Sequence, residues 1–237
     1  MTLLGLVVGL PAEARTLARN RPARGTIQEL DAETLLVVSG IGPARAQRAG
    51  EALIARGAAG ILSWGIAGGL DPALRTGTLL LPDKVIGTDG GAFPTDSGWR
   101  QRFLERLQGG PAAVIRPLAE TAAPAADPSS KRRLFEATGA AAVDMESAGA
   151  ARGAAGGGCP FLAVRVVADP AGMTLPRAAL AALDGEGRLR PMRLLAALAR
   201  HPRQWGLLTE LRGAFRKACA TLSEAAQRCG PGFAFLP

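Results

Sequence analysis

Carboxylates and glycines recur at the ends of apolar runs in this chain, where an open α/β sheet binds its ligands. Glu13 follows the first run in GLPAEA, and Asp144, Met145 and Glu146 follow another in VDMES. Arg165 and Asp169 lie on or just beyond VRVVADP, and SWGIAGGL carries Ile66, Ala67, Gly68 and Gly69 behind Gly65. Side chains of this kind move protons and stabilise developing positive charge, while the glycines let backbone approach a ligand closely. A further segment, SGIGPAR, places Arg45 in a first helical turn, where a basic group and free N–H groups could meet an anion. Taken singly, each has a plainer reading. Glu13 suits a solvated helix start, Asp169 a cap before Pro170, Glu146 a surface helix, Arg165 a partner for a buried carboxylate, and Arg45 a solvated helix position.

Several other chemistries are excluded. His201 is the only histidine and has no accompanying acid or nucleophile pattern, so a Ser-His-Asp triad is unsupported. Ser63 in GILSWG lacks the glycine spacing of a nucleophile elbow. SGIGPAR has Arg45 where a dinucleotide fingerprint needs its third glycine, and no phosphate-loop sequence occurs. Cys159, Cys219 and Cys229 have neither metal-ligand spacing nor a disulfide pattern. No metal or organic cofactor is expected.

The elements that must position these residues follow from periodicity. LLGLVVGL at 3–10 and TLLVVSG at 34–40 read as inner strands, and GIGPARAQRAGEALIARG as a helix with Pro43 in its first turn and Gly57 at its stop. AAGILSWGIAGGL at 58–70 reads as a strand, and TGTLLLPDKVIG at 76–87 as another that continues across the sheet. SGWRQRFLERLQ and KRRLFEAT read as helices and AAVIRPLAE as a strand. GAAAVDMESAGAARGAA runs from strand to helix, and CPFLAVRVVADP is a last core strand. Such alternation predicts an α/β fold, and 237 residues with 48% hydrophobic content suit one domain spanning 1–237.

The formal charge of +8 comes with only 4% aromatic residues and no basic-aromatic alternation, which argues against nucleic acid. Most of the excess sits at one end: residues 185–237 carry nine Lys or Arg against three Glu. Within 185–230, Leu208, Leu211, Phe215, Ala218 and Leu222 follow helical spacing with Arg212 and Arg216 on another side, an amphipathic basic tail. No run is apolar enough to span a membrane, and MTLLGLVVGLPAEAR lacks the basic opening of a signal peptide, so a cytoplasmic location is expected.

Together, in this order, the segments over 3–87 and 138–170 resemble the 5′-methylthioadenosine/S-adenosylhomocysteine nucleosidases and their relatives in the purine nucleoside phosphorylase superfamily. The resemblance implies a three-layer α/β/α domain with a twisted mixed central sheet flanked by helices, assembled as a dimer or larger homo-oligomer. It implies cleavage of a purine nucleoside, with Asp169 protonating N7 of the base, Glu146 holding the ribose hydroxyls over Met145, and Glu13 activating water. Asp144 stands where the family has glutamate, Ala168 where it usually has serine, and Arg165 matches an arginine of the same strand. Phosphate, with Arg45 as its contact, stays open as a co-substrate. The base-stacking residue is unassigned, with Phe93, Trp99 and Phe135 unranked.

GLPAEA, SGIGPARA, SWGIAGGLDPALRTGTLLLPDKV, AVDMESA and the LPRAALAALDGEGR segment before an Arg-rich tail resemble, over nearly the whole chain, the hopanoid-associated phosphorylases. That resemblance implies release of adenine from adenosylhopane, a nucleoside with a large apolar 5′ substituent, and contact of the basic tail with the inner membrane face. An enzyme that must admit so large a substituent is expected to have the tail beside the ribose 5′ end of the pocket; the plainer reading of 191–228 is an apolar stripe packed on the sheet with its arginines solvated. A nucleosidase acting on soluble methylthioadenosine-type substrates is the enzyme alternative. A nucleoside- or lipid-binding module and a basic peripheral membrane adaptor are the non-enzyme alternatives.

Overall fold

The computed structural model describes residues 2–17, 23–182 and 204–235, together with Met192, Ala196 and Arg200. Most of residues 183–203, including the first three residues of the HPRQ segment, lies outside this range. The described chain forms a mixed β-sheet with helices on both faces, the α/β arrangement expected from the alternation of elements.

The runs that are apolar on both faces form the middle of the sheet, because a strand covered by helices on either side has no polar face. Strand β1 (Leu3–Val8) lies parallel between β3 (Thr34–Val38) and β4 (Ala58–Gly69). Strand β11 (Phe161–Asp169) runs parallel along the other edge of β4. Outward from β3 lies β2 (Gln28–Asp31), antiparallel. From β4 the sheet continues through β10 (Ala142–Asp144), β9 (Leu118–Glu120), β6 (Lys84–Ile86) and β7 (Ala92–Pro94), and from β11 through β5 (Leu79–Leu80) and β8 (Ala113–Val114).

Two expected strands are each broken in two. Segment 76–87 divides into β5 and β6 at Pro82 and Asp83, and the halves serve different branches of the sheet: β5 pairs with β11, β6 with β9. Segment 112–120 divides into β8 and β9 at Arg116 and Pro117. Both breaks fall at a proline, which lacks the N–H that a continuous ladder needs.

One discontinuity on β4 creates the site. Along one edge, β1 pairs as far as Val8↔Trp64, and β10 joins that same edge only at Val143↔Gly68. Residues 65–67 therefore have no strand neighbour there, although β11 still pairs with them on the other side. Such a parting of strands at their C-terminal ends is where an open α/β sheet makes its crevice.

The helices draw the walls of that crevice together. Helix α2 (Pro43–Ala55) and helix α5 (Ser147–Gly156) lie against each other on one face, and α5 has the composition SAGAARGAAG. A Cβ at Gly149 would come within 2.1 Å of the Pro43 carbonyl oxygen, and one at Gly153 within 2.8 Å of that of Gln47. Only glycine permits this backbone contact, which brings the N-termini of the two helices together.

On the opposite face, helix α3 (Ser97–Arg106) and, after the short helix α6 (Arg177–Ala182), the long helix α7 (Gln204–Cys229) cover Leu6, Trp64 and Val164. The expected stripe of α7 is only partly inward: Ala218 and Leu222 are buried, while Leu208, Leu211 and Phe215 are half-buried. Among the described residues no helix is long and apolar enough to cross a membrane.

Candidate active site

Helix α1 (Pro11–Ala14) turns the chain directly after β1 and aims Glu13 back over the sheet. Glu13 Oε1 accepts the Ile66 N–H at 2.9 Å, and Oε2 accepts that of Leu10 at 2.7 Å. The carboxylate thus answers an N–H on the stretch of β4 left without a strand neighbour. Gly65 is required beside it, since a Cβ there would lie 2.6 Å from Glu13 Oε1. Burial raises the Glu13 pKa above the ordinary carboxylate range, against the pull of the Ile66 N–H and of Arg165.

Glu146 stands at the N-cap position of α5 with its side chain turned away from that helix toward the space beside Gly9. Its Oε1 accepts the Gly42 N–H from the start of α2 at 3.1 Å, a contact made by the close approach of the two helices. Gly9 reports how near the acids lie: a Cβ added there would be 3.2 Å from Glu146 Cδ and 3.5 Å from Glu13 Oε2. Burial, then the charges of Asp144 and Glu13, push the Glu146 pKa up to about 8. Met145 and Glu146 both keep partial exposure.

Asp144 and Arg165 are spent on each other. Arg165 Nε donates to Asp144 Oδ2 at 2.8 Å, with side chains only 3% and 1% exposed. The rest of the guanidinium donates to Ser63 Oγ at 2.7 Å and to the Val164 carbonyl at 2.8 Å, and Asp144 accepts from Ser147 N and Oγ. Asp144 and Arg165 thus form a buried, hydrogen-bonded ion pair, the plainer reading that the sequence left open for Arg165.

Asp169 ends β11 on a register shift, paired with Gly68. Its Oδ2 lies 3.1 Å from where a Cβ on Gly68 would stand, so it meets the same strand two residues beyond the Ile66 N–H that Glu13 accepts. Val143, three residues before Glu146, is the strand partner of Gly68 on the other edge. Glu13 and Asp169 thereby meet β4 at Gly65 and Gly68, and Glu146 shares the space beside Gly9 with Glu13; Gly68 is partly accessible, and Ala67 and Gly69 are buried. Burial raises the Asp169 pKa, opposed by Lys131, whose ammonium lies 2.8 Å from Oδ2.

Lys131 was not singled out by sequence reasoning. In KRRLFEAT it reads as one of three solvated basic residues, and only the docking of α4 (Pro128–Thr138) shows which of them turns inward. Gly9 and the Gly42 N–H escaped for a similar reason, since backbone carries no signature of its partner. Arg45 sits as expected in the first turn of α2, with Nη1 on the Ile41 carbonyl at 3.4 Å.

Of the unranked aromatics, Trp99 is fully buried and donates its indole N–H to the Phe233 carbonyl at 2.8 Å, which removes it as a base-stacking surface. Phe135 packs beside Leu70 and Val143, and Phe93 lies under the Arg152 guanidinium at 5.2 Å. Helix α7 approaches from the Glu13 side. Cys219 on α7 has its thiol pushed up to about 11, by burial first and then by the Glu13 charge.

Residues 4–200 match the phosphorylase superfamily. The futalosine hydrolase of Streptomyces coelicolor is 30% identical over 227 residues, a span covering 79% of this chain and 94% of that protein. Among solved structures, the 5′-methylthioadenosine/S-adenosylhomocysteine nucleosidase of Neisseria meningitidis, in complex with methylthio-immucillin-A, matches with a TM-score of 0.72 at 17% identity. The match covers 96% of this chain and 98% of that one. The futalosine hydrolase of Helicobacter pylori matches with a TM-score of 0.64 at 18% identity, over 90% of this chain and 97% of that one. At these identities the two structures establish the shared fold alone.

Proposed function

The chain belongs to the phosphorylase superfamily, and from that premise we propose that it cleaves the N-glycosidic bond of a purine nucleoside. The observation that supports this reading is the placement of three acids at the C-terminal ends of neighbouring strands: Glu13 and Glu146 beside Gly9, and Asp169 at Gly68. Each meets a separate demand of the reaction. A purine leaves readily once N7 is protonated, and Asp169 gives that proton as the bond lengthens, a contribution of about 10²–10⁴-fold. The sugar becomes cationic, and Glu146 at its hydroxyls stabilises the charge more in the transition state than in the ground state. Glu13 takes a proton from the attacking water, so one proton enters the protein as another leaves it. Met145 packs against the sugar, and the backbone of Ile66 to Gly69 lines the base side. Asp144 and Arg165 support the site from beneath.

Water is the attacking group in this reading. Glu13 is a carboxylate without a cation bonded to it, whereas phosphate needs basic groups converging on an anion. Arg45, with Nη1 on the Ile41 carbonyl, is the contact for phosphate should the enzyme prove a phosphorylase.

For the substrate, we propose adenosylhopane. Helix α7 lies beside Glu13, carries Arg212 and Arg216 on its exposed side, and has Trp205, 51% exposed, in its first turn. A basic helix with an exposed tryptophan suits an enzyme that draws a lipid-bearing nucleoside from an anionic leaflet. The match to the Streptomyces coelicolor hydrolase favours a second reading, a nucleosidase acting on a soluble substrate.

One experiment separates these readings. The protein is incubated with adenosylhopane, methylthioadenosine or futalosine, with and without phosphate, while free purine and the mass of the sugar product are followed. Adenine from adenosylhopane with a phosphate-independent free sugar is the expected result. A sugar phosphate would change the attacking group, and faster turnover of a soluble nucleoside would change the substrate. Purine release from none of the three would overturn the enzyme reading in favour of a binding module.

A further inference from the structure

The charged side chain left over by this reading is Lys131. It lies in the first turn of α4, is 0% exposed, and directs Nζ at four oxygens. These are Asp169 Oδ2 at 2.8 Å, the Asp169 carbonyl at 3.1 Å, the Pro170 carbonyl at 2.9 Å and the Met173 carbonyl at 3.1 Å. An ammonium has three protons and no lone pair, so four acceptors saturate it. A purely structural strut would have been satisfied by the three carbonyls of the turn. The fourth contact takes one oxygen of the carboxyl that the reaction uses as its acid, leaving Oδ1 to meet a substrate.

We propose that Lys131 is a positioning residue for the leaving-group acid: it fixes the rotation of the Asp169 carboxyl and sets the pH range over which Asp169 gives up its proton. The proposal rests on Asp169 being that acid. Burial favours the protonated form and the adjacent ammonium favours the ionised one, so their balance decides how strong an acid the group is. The surroundings are simple enough for one charge to control it. Strand β4 brings Gly68 and Gly69 to this point, the turn after β11 brings backbone carbonyls, and α4 brings Lys131.

Removal of the ammonium raises the Asp169 pKa, and the acid then stays protonated to higher pH. In Lys131→Met the descending alkaline limb of kcat/KM should move up by about one to three pH units, with kcat falling about tenfold for want of orientation and KM nearly unchanged. Lys131→Arg keeps the charge and should leave the limb in place. Lys131→Gln, which retains hydrogen-bonding capacity, replaces the methionine variant should that one fail to fold.

Carbon NMR of aspartate-labelled protein, with the Asp169 signal assigned by its loss in Asp169→Asn, reads the same midpoint without turnover. The midpoint should rise in Lys131→Met or Lys131→Gln and stay put in Lys131→Arg. Unmoved midpoints in the charge-removing variants would overturn the proposal whatever the activity. A moved midpoint in a protein that cleaves no nucleoside would keep the electrostatic control of Asp169 and overturn the catalytic reading instead.

Discussion

Two buried charge clusters lie close together at the ends of the same strands, and they are built on opposite principles. Asp144 and Arg165 match charge for charge, and their remaining polar atoms meet Ser63, Ser147 and backbone. Glu13 and Glu146 share the space around Gly9 with no cation bonded to either; backbone N–H groups of Leu10, Ile66 and Gly42 are what hold them. A balanced pair can be buried because each charge replaces the water lost by the other, whereas two unbalanced carboxylates raise each other's proton affinity. The first cluster holds the strands together. The second stores an electrostatic demand that a cationic sugar would satisfy.

The largest effect expected from this difference is on stability. Arg165→Met strands Asp144 in the interior without its partner, at a cost of about 3–5 kcal/mol, and thermal unfolding should fall by on the order of 10 °C. A drop of only a degree or two would mean that the pair is not the structural half of the contrast. Next in size is Glu146→Gln, which should leave the fold intact while lowering kcat by about 10²–10³-fold, measured on whichever nucleoside is cleaved. Equal losses of activity and folding would erase the distinction between the clusters.

The same Glu146→Gln variant gives a smaller effect of opposite sign on stability. Glu146 titrates near 4.5 when unfolded and near 8 when folded, so folding takes up a proton between these values and stability declines as pH rises through that window. Glutamine has no such slope. The variant should unfold at about the native temperature near pH 4.5 and be stabilised at pH 8 by about 2 kcal/mol, roughly half of what the full shift corresponds to because Glu146 keeps partial contact with solvent, or roughly 4–8 °C. A difference in melting temperature that does not widen with pH would show that Glu146 carries no burden in the folded protein.

The finest probe is Gly65→Ala, whose Cβ would lie 2.6 Å from Glu13 Oε1. Displacing that carboxylate should lower kcat by about tenfold with a stability change within about 1–2 kcal/mol. Unchanged kinetics would remove Glu13 from the functional cluster.

How far the sequence could be read depended on how local each cause was. The strands β1, β3, β4 and β11 were legible because burial on both faces requires an unbroken apolar run. Helix α2 was legible from Pro43, its apolar spacing and Gly57. Strands β2 and β7 were not, since QELD and AFP have no apolar alternation and exist only because a neighbouring strand accepts them. The splits at Pro82 and Pro117 were visible as prolines, but the branch of the sheet that each half would join was not.

By itself, the sequence determined which residue types could do chemistry and that they would stand at strand ends, because strand-forming runs and the groups that follow them are properties of a few adjacent positions. Tertiary structure decided their partners. It joined Asp144 to Arg165 across 21 residues and Gly42 to Glu146 across 104, and it turned Lys131 rather than its basic neighbours onto Asp169. A charge's role depends on what lies within a few ångströms of it, and such distances are set only once α2 has docked on α5, α4 has docked beside β11, and β1 has parted from β4.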